Sequence, residues 1–127
     1  ARDELLRWTS PVIYMRRTVK QDIALGGKSL KAGDKVVLYY GAANRDENVF
    51  DSPHQLDITR SPNKHLAFGG GHHVCLGQWF ARLEIDAILR EVLVRMSDIE
   101  INGDLEWMPS NFISGLTRMP VRFQARR

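Results

Sequence analysis

The single cysteine of the chain, Cys75, lies in a glycine-rich stretch between Phe68 and Gly77, two positions after a histidine. A thiolate is a soft ligand that suits iron, including the iron of a haem. The glycines permit backbone conformations closed to bulkier residues and let the main chain approach a flat cofactor closely. A helical apolar pattern begins directly after the loop, and the amides and dipole at a helix N-terminus favour the thiolate over the thiol. The stretch therefore predicts a cysteine suited to bind the iron of a haem.

Five residues of this stretch resemble a known signature. Phe68, Gly71, His73, Cys75 and Gly77 match, position for position, the Phe-x-x-Gly-x-His-x-Cys-x-Gly pattern of the haem-thiolate cytochromes, the cytochrome P450 family. The alternative is a buried and inert cysteine in a turn, since unpaired cysteine usually behaves as a small hydrophobe. Because five fixed positions are far more specific than an isolated glycine motif, the resemblance is the favoured interpretation.

A second resemblance lies in an ordered set of charged residues. Glu4 and Arg7 fit the family's Glu-x-x-Arg motif, and the segment 50–60 resembles its meander, whose arginine is Arg60 here. Spacing three apart places Glu4 and Arg7 on one helix face, where they can pair. Alone, such a pair is a poor signal because most are solvated surface pairs. Together with the order of the motifs, the resemblance implies a buried Glu4–Arg7–Arg60 network that fixes the cysteine loop and has a structural role.

The resemblance also implies how the chain holds haem b, iron protoporphyrin IX. Cys75 would be the proximal iron ligand, and its thiolate would push electron density onto the metal, which favours cleavage of bound dioxygen. Arg17 and His73 would bind the haem propionates, since arginine suits charge-assisted bonds to carboxylates. The alternative for Arg17, and more so for its neighbour Arg16, is a surface arginine. The implied cofactor-binding residues are Cys75, His73, Arg17, Phe68, Gly69 and Gly77.

A zinc site is the rival metal interpretation. Four residues of suitable type are close in sequence, namely His65, His72, His73 and Cys75. Their spacing argues against zinc because adjacent histidines point apart and structural sites favour paired ligands two to four residues apart.

Two apolar segments are where the family resemblance implies contact with substrate. Val12 and Ile13 precede the strand that bears Arg17, and Phe112 and Ile113 belong to a turn in the tail. Their apolar content suits a lipid, sterol or terpene. The runs 10–18 and 43–47 look like those of actinobacterial members that hydroxylate methyl-branched lipids and steroid side chains.

A basic surface is predicted beside the cysteine loop from Lys64, His72 and Arg82, where acidic side chains are few. Complementary charge speeds encounter more than it raises affinity. An acidic iron–sulfur ferredoxin is therefore the expected electron donor, and scattered surface charge is the alternative.

Length and composition restrict the class of protein. The 127 residues fit one domain, residues 1–127, with 43% hydrophobic and 26% charged residues, which is ordinary globular composition. One cysteine cannot form an internal disulfide, and no apolar stretch is long enough to span a bilayer, so we expect a cytoplasmic protein without a membrane anchor. The net charge of +3 is carried by scattered residues, which argues against nucleic-acid binding.

The apolar periodicity and the turn signals predict an α+β fold, and the resemblance implies that it is the C-terminal portion of the P450 fold. We expect a short helix at first, then small sheets and hairpins, an irregular meander with the cysteine loop, one long helix and a β tail. The predicted helices are 3–8, 41–45 and 76–96, and the irregular segment is 46–67. The predicted strands are 12–19, 22–25, 28–30, 35–40, 99–101, 105–107 and 121–124.

The resemblance covers nearly all of this sequence but only the C-terminal third of a family member. The family's central helix, whose acid–alcohol pair delivers protons to bound oxygen, has no counterpart here. Two functions follow as hypotheses. The parent protein is a haem-thiolate monooxygenase, an oxidoreductase that uses O2 and electrons from a redox partner, or the 127-residue chain is a non-catalytic fragment with little or no haem binding.

Overall fold

The computed structural model describes residues 1–126 and combines helices with small antiparallel sheets, as the α+β prediction expects. The helices are α1 (Arg2–Thr9), α2 (Tyr40–Ala43) and α3 (Gln78–Arg95), and a single 3-10 turn spans Gly71–His73. The strands are β1 (Tyr14–Thr18), β2 (Ile23–Leu25), β3 (Lys28–Leu30), β4 (Lys35–Tyr39), β5 (Met96–Ile101), β6 (Glu106–Trp107), β7 (Leu116–Arg118) and β8 (Val121–Ala125).

Helix α1 ends where the sequence predicts, before a proline. Ser10 adopts a left-handed conformation with φ of 42°, and its backbone N–H donates to the carbonyl of Leu6. Pro11 cannot continue the helix, because it lacks an N–H and disfavours helical geometry in the residue before it. The chain therefore turns at once towards β1.

Two of the sheets form the first half of the fold. β1 pairs antiparallel with β4, so that Arg17 lies opposite Val36. β2 and β3 form the predicted hairpin across Gly26 and Gly27, whose φ angles of 53° and 73° are those that a tight two-residue turn requires.

The tail differs in detail from its prediction. β5 begins at Met96, where we expected helix, and pairs with β8. Its register shifts between Ser97 and Glu100, and Asp98 there has a φ of 51°, which marks a β-bulge. The extra residue of the bulge interrupts the alternation of apolar and polar side chains, so the start of the strand could not be predicted from the sequence. β7, which pairs with β6, was not predicted because three residues are too few to show periodicity.

The buried interior lies between α1, α2 and the irregular segment, and it is unusually polar. Its apolar members are Leu6, Tyr40, Phe50 and Ala67, and its polar members are Glu4, Arg7, Ser10 and Asn44. None of the residues of α3 is fully buried: Ile85, Leu89 and Val92 are half-buried, and six large apolar side chains are exposed, namely Trp79, Phe80, Leu83, Ile88, Leu93 and Val94. Among residues 1–126, the model has no helix with the length and hydropathy needed to cross a membrane.

Candidate cysteine-loop site

The guanidinium of Arg7 is fully buried and all its donors are used. Nε and Nη2 donate to the two carboxylate oxygens of Glu4 at 2.8 and 2.7 Å. Nη1 donates to the carbonyls of Asn44 (2.7 Å) and Pro53 (2.9 Å), and Nη2 also reaches the carbonyl of Gln55 (3.1 Å). Guanidinium has five N–H groups in a fixed planar arrangement, so one side chain ties α1 to two distant loop segments.

The carboxylate of Glu4 gathers further donors from the irregular segment. Arg60 Nε lies 3.2 Å from Oε2, Asn63 Nδ2 lies 2.9 Å from the same oxygen, and the backbone N–H of Asp57 donates to Oε1 at 2.9 Å. The Arg7 hydrogen bonds are the main cause that lowers the pKa of Glu4 to about 2. The three side chains of the predicted network thus meet, and Asn63 and the Asp57 amide join them.

Asn44 and Ser10 also belong to this interior, and sequence reasoning missed both. Asn44 is fully buried, and its Nδ2 donates to Ser10 Oγ at 2.9 Å, while Ser10 Oγ donates to the carbonyl of Arg7 at 2.8 Å. Neither side chain has a motif that could have flagged it, because small polar residues next to a helix end are normally exposed caps.

The cysteine loop is closed by its own backbone. The N–H of Cys75 donates to the carbonyl of Phe68 at 2.8 Å, and the N–H of Gly69 donates to the carbonyl of Leu66 at 2.8 Å. Gly69 has a φ of 71°, and a Cβ there would lie 3.1 Å from both the carbonyl oxygen of His73 and the hydroxyl of Tyr40. Only glycine fits this position, and the resulting loop leaves the thiol of Cys75 exposed.

The ring of Phe68 packs against Arg82 of α3, which is in turn paired with Asp3 of α1. The guanidinium carbon of Arg82 lies 4.6 Å from the centre of the Phe68 ring, and the ring of His65 lies 6.0 Å away. Arg82 Nε and His65 Nε2 both contact Asp3 Oδ1, at 3.0 and 3.2 Å. Although burial alone would raise it, the hydrogen bonds from Arg2, Arg82 and His65 lower the pKa of Asp3 to about 2.

These contacts correct the prediction for Arg82 and also bear on the rival zinc interpretation. Arg82 was assigned to an exposed basic surface, but only 17% of its side chain is accessible, and it is paired with Asp3. His65 was a candidate zinc ligand, but its ring is occupied by Asp3 and by the backbone N–H of Ala67 at 3.2 Å. Within residues 1–126, no three potential metal ligands lie close enough together to hold an ion.

The remaining cofactor candidates lie at the surface or partly buried. His73 ends the 3-10 turn and is exposed, and Gly77 directly precedes α3. Arg17 is half-buried, and its Nη1 donates to the carbonyl of its exposed neighbour Arg16 at 3.0 Å. Their assignment to the propionates stays a prediction.

The two apolar segments predicted to contact substrate lie side by side, although a hundred residues separate them in sequence. Val12 and Ile113 form an antiparallel bridge, and the N–H of Ile13 donates to the carbonyl of Phe112 at 2.9 Å. The ring of Phe112 packs edge-on against Tyr14, with ring centres 6.0 Å apart. The tertiary structure thus joins them into one apolar surface.

Comparison with known proteins gives the family. The model of the family "Cytochrome P450" matches residues 3–126. The chain is 48% identical over 120 residues to the methyl-branched lipid omega-hydroxylase of Mycobacterium tuberculosis, covering 94% of this chain and 28% of that protein. It is 46% identical over 124 residues to the steroid C26-monooxygenase of the same organism, covering 95% and 31%.

Solved structures agree with the sequence comparison. The crystal structure of a thermophilic cytochrome P450 from Sulfolobus tokodaii superposes with a TM-score of 0.93 at 31% identity, covering 98% of this chain and 34% of that one. The fold is thus that of one part of a cytochrome P450. The chain belongs to the cytochrome P450 family, and it spans about 30% of the length of the curated relatives it matches.

Proteins of this family bind haem b through a cysteine thiolate, and the residues around Cys75 fit such a group. The thiol is exposed rather than packed in the interior, which leaves it open to a ligand. Apolar side chains flank it, with Val74 at 45% and Leu76 at 98% exposure, and they present a surface that suits a flat apolar macrocycle. Gly69 has no Cβ, which lets its backbone lie close to the carbonyl oxygen of His73 and the hydroxyl of Tyr40 and so permits this loop conformation.

Proposed function

We propose that the full-length protein containing this chain is a haem-thiolate monooxygenase that hydroxylates an apolar substrate. One observation supports it most strongly: in a chain of the P450 family, the exposed thiol of Cys75 stands on a loop that is tied to a buried ionic network. When bound, haem activates dioxygen so that one oxygen atom enters a C–H bond of the substrate, with electrons from a redox partner.

The roles of the loop residues follow from their positions. Cys75 supplies the sulfur ligand and lies two residues before Gly77, the residue that caps the N-terminal end of α3. Arg82 and His65 hold the ring of Phe68 in place, and the backbone carbonyl of Phe68 accepts the N–H of Cys75, so Phe68 fixes the two ends of the loop relative to each other. Glu4, Arg7 and Arg60 hold the segment 51–63 that leads into the loop, and they do not touch the reacting atoms.

Thiolate ligation is tested by the spectrum of the full-length protein after reduction and addition of carbon monoxide. We expect the strongly red-shifted Soret band of a thiolate-ligated haem, and we expect Cys75→His to abolish it. His72→Ala, an exposed change on the same loop, is the control and should leave the band intact. A wild-type band typical of histidine ligation would refute the proposed function.

Arg17 and His73 are proposed to bind the haem propionates. The strand gives a matched control, because Arg16 and Arg17 are adjacent and project from opposite faces of β1. Arg17→Ala should speed haem loss to a scavenging apoprotein by about tenfold, the size expected for losing a charge-assisted bond, while Arg16→Ala should not. If haem loss quickened in Arg16→Ala and not in Arg17→Ala, Arg16 would be the propionate-binding residue.

The proposed substrate is a lipid or a steroid bound at the surface formed by Val12, Ile13, Phe112 and Ile113. Relatives named as a methyl-branched lipid omega-hydroxylase and a steroid C26-monooxygenase support these substrate classes. Substrate-induced changes in the haem spectrum of the full-length protein, measured with a branched fatty acid and with a sterol, test this choice. Loss of affinity in Phe112→Ser without loss of haem would support the location.

The proposed electron donor is a ferredoxin. Because Arg82 is paired with Asp3, the proposed docking surface keeps Lys64 and His72, which are exposed. Reduction of the full-length protein by a ferredoxin should slow as salt rises, because exposed charges are screened over roughly 10 Å at 0.1 M. Lys64→Glu should slow it further and leave the haem spectrum unchanged. Rates indifferent to salt and to Lys64→Glu would place docking elsewhere.

A cytoplasmic location is proposed because a thiolate ligand requires a reduced cysteine, and that compartment keeps thiols reduced. Fractionation of cells that express the full-length protein tests it.

A second function is supported by the exposed apolar side chains of α3: the 127-residue chain by itself is a scaffold that binds little or no haem. Titration of haem into the purified chain separates the two hypotheses. Tight binding with turnover of a model substrate would refute the scaffold hypothesis, and absence of binding would support it.

A further inference from the structure

Asn44 has the properties of a buried connector. It caps α2, none of its surface is exposed, and both ends of its side-chain amide are satisfied. Nδ2 donates to Ser10 Oγ at 2.9 Å, and Oδ1 accepts the backbone N–H of Leu66 at 2.7 Å. A buried amide with both ends paired is costly to disrupt, because removing one partner leaves the other desolvated and unbonded.

One end of this connector is attached to the ionic interior. Arg7 Nη1 donates to the backbone carbonyl of Asn44 at 2.7 Å, and Ser10 Oγ donates to the carbonyl of Arg7 at 2.8 Å. Asn44, Arg7 and Ser10 therefore form a closed set of hydrogen bonds between α1 and α2. The position of the Asn44 side chain is fixed by groups that are themselves fully paired.

The other end is attached to the start of the cysteine loop. The N–H of Leu66 donates to Asn44 Oδ1, and the carbonyl of Leu66 accepts the N–H of Gly69 at 2.8 Å. The next carbonyl in the path, that of Phe68, accepts the N–H of Cys75 at 2.8 Å. Hydrogen bonds therefore run from the interior through Leu66 to the backbone of Cys75.

We propose that Asn44 is a positioning residue for Cys75: its Oδ1 fixes the peptide of Leu66 and thereby the orientation of the thiolate. The proposal rests on the proposed function, in which Cys75 ligates haem iron. Asn44 touches neither the sulfur nor a cofactor and acts only through the loop. Without it, the loop would keep its sequence and glycines but lose its attachment to the network at its first residue.

Three variants of the full-length protein separate positioning from packing. Asn44→Ala removes both side-chain hydrogen bonds. Ser10→Ala removes the bond from Asn44 Nδ2 and the bond to the Arg7 carbonyl but leaves the Oδ1–Leu66 contact, so it is the matched control for that contact. Asn44→Asp keeps an acceptor for the Leu66 N–H and is the conservative rescue.

The first readout is the share of the ferrous carbon monoxide complex that shows the thiolate band. Asn44→Ala should lower that share to about half or less, in line with the large effects of residues that orient a metal ligand. Ser10→Ala and Asn44→Asp should keep it near the wild-type value, even where they lower the thermal midpoint. Equal losses in Asn44→Ala and Ser10→Ala, or no loss in either, would overturn the proposal.

The second readout is independent of haem. Hydrogen exchange of peptides covering 64–77 should quicken by about tenfold in Asn44→Ala, the scale of one lost hydrogen bond, but not in Ser10→Ala. If Asn44→Ala fails to fold, wild-type exchange and thiolate share in Asn44→Asp support the proposal, and losses in both overturn it. If the wild-type protein shows no thiolate band, the proposed function fails, while the exchange comparison still decides whether Asn44 positions the loop.

Discussion

At the scale of single residues, Arg7 shows why this interior requires arginine rather than any cation. Its five N–H groups are shared among one carboxylate and three backbone carbonyls from two segments, one at Asn44 and one at Pro53 and Gln55. A buried charge is tolerated only when it is paired and fully hydrogen-bonded, and a planar fork of donors meets both conditions here.

Replacing Arg7 by lysine should therefore be severe although charge is conserved. Lysine has three donors on a flexible stem, so carbonyls of Asn44, Pro53 or Gln55 would lose their partner. We expect a loss of about 3–5 kcal/mol, as for breaking a buried ion pair, measured by urea denaturation of the full-length protein. Arg118→Lys, in an exposed pair with Glu106, is the control and should change stability by less than about 1 kcal/mol.

The pKa of Glu4 leads to a prediction about acid stability. The pKa of Glu4 is lowered from 4.5 to about 2 by Arg7 and its other donors, so its contribution is present above pH 4.5 and is lost as pH falls towards 2. The loss is on the order of 3 kcal/mol. Denaturation series between these pH values should show a shallower pH dependence for Glu4→Gln than for wild type. Asp22→Asn is the control and should flatten the slope less than Glu4→Gln, because Asp22 is paired only with the exposed Lys31 and exposed ion pairs contribute little.

At the scale of elements, the cysteine loop depends on one close approach. Gly69 and Gly71 both have positive φ, at 71° and 60°, but only at Gly69 would a Cβ meet neighbours within 4 Å. Both glycines therefore need a left-handed backbone conformation, but only at Gly69 would an added side chain collide with neighbouring atoms.

This pair gives a matched experiment. Gly69→Ala and Gly71→Ala should each cost about 1 kcal/mol for the left-handed conformation, and Gly69→Ala should cost a further 1–3 kcal/mol, roughly, through overpacking against Tyr40 and His73. Thermal unfolding of the full-length protein gives the stabilities, and the carbon monoxide spectrum shows the thiolate share. Equal effects of the two variants would show that Tyr40 moves aside at little cost.

At the scale of the whole molecule, the outward apolar face of α3 indicates that this chain is normally covered. Trp79, Phe80 and Leu83 lie at helical spacing and are 74%, 66% and 65% exposed. The curated relatives are about three times as long, so the remainder of the protein is the proposed cover for this face. Exposed apolar surface of this extent otherwise leads to association.

Leu83→Glu should therefore be favourable in the isolated chain, where it removes exposed apolar surface, and unfavourable in the full-length protein. In the isolated chain it should reduce binding of an apolar dye and raise solubility without lowering the thermal midpoint. In the full-length protein it should destabilise by roughly 3 kcal/mol, because a charge would be buried without a partner. Glu84→Gln, at an exposed polar position, is the control for both. Destabilisation in the isolated chain alone would contradict the inferred cover.

The sequence by itself predicted the features that depend on local spacing. The hairpin at Gly26 and Gly27, the stop of α1 before Pro11 and the long helix after Cys75 each depend on neighbouring residues. The family followed from the motifs around Glu4 and Cys75, because motif residues are fixed by chemistry that few other residues can perform. The β tail was predicted less well, since a bulge at Asp98 and a three-residue strand leave no clear period.

Only the tertiary structure decided which polar groups are buried and what they bind. Sequence spacing could pair Glu4 with Arg7, but the contacts of Asn44 with Ser10 and Leu66 join positions that are far apart along the chain. The same holds for Arg82, which looked like a surface charge until folding brought Asp3 beside it. Long-range hydrogen bonds depend on where whole elements pack, and burial determines their strength, so neither property can be read from residue order.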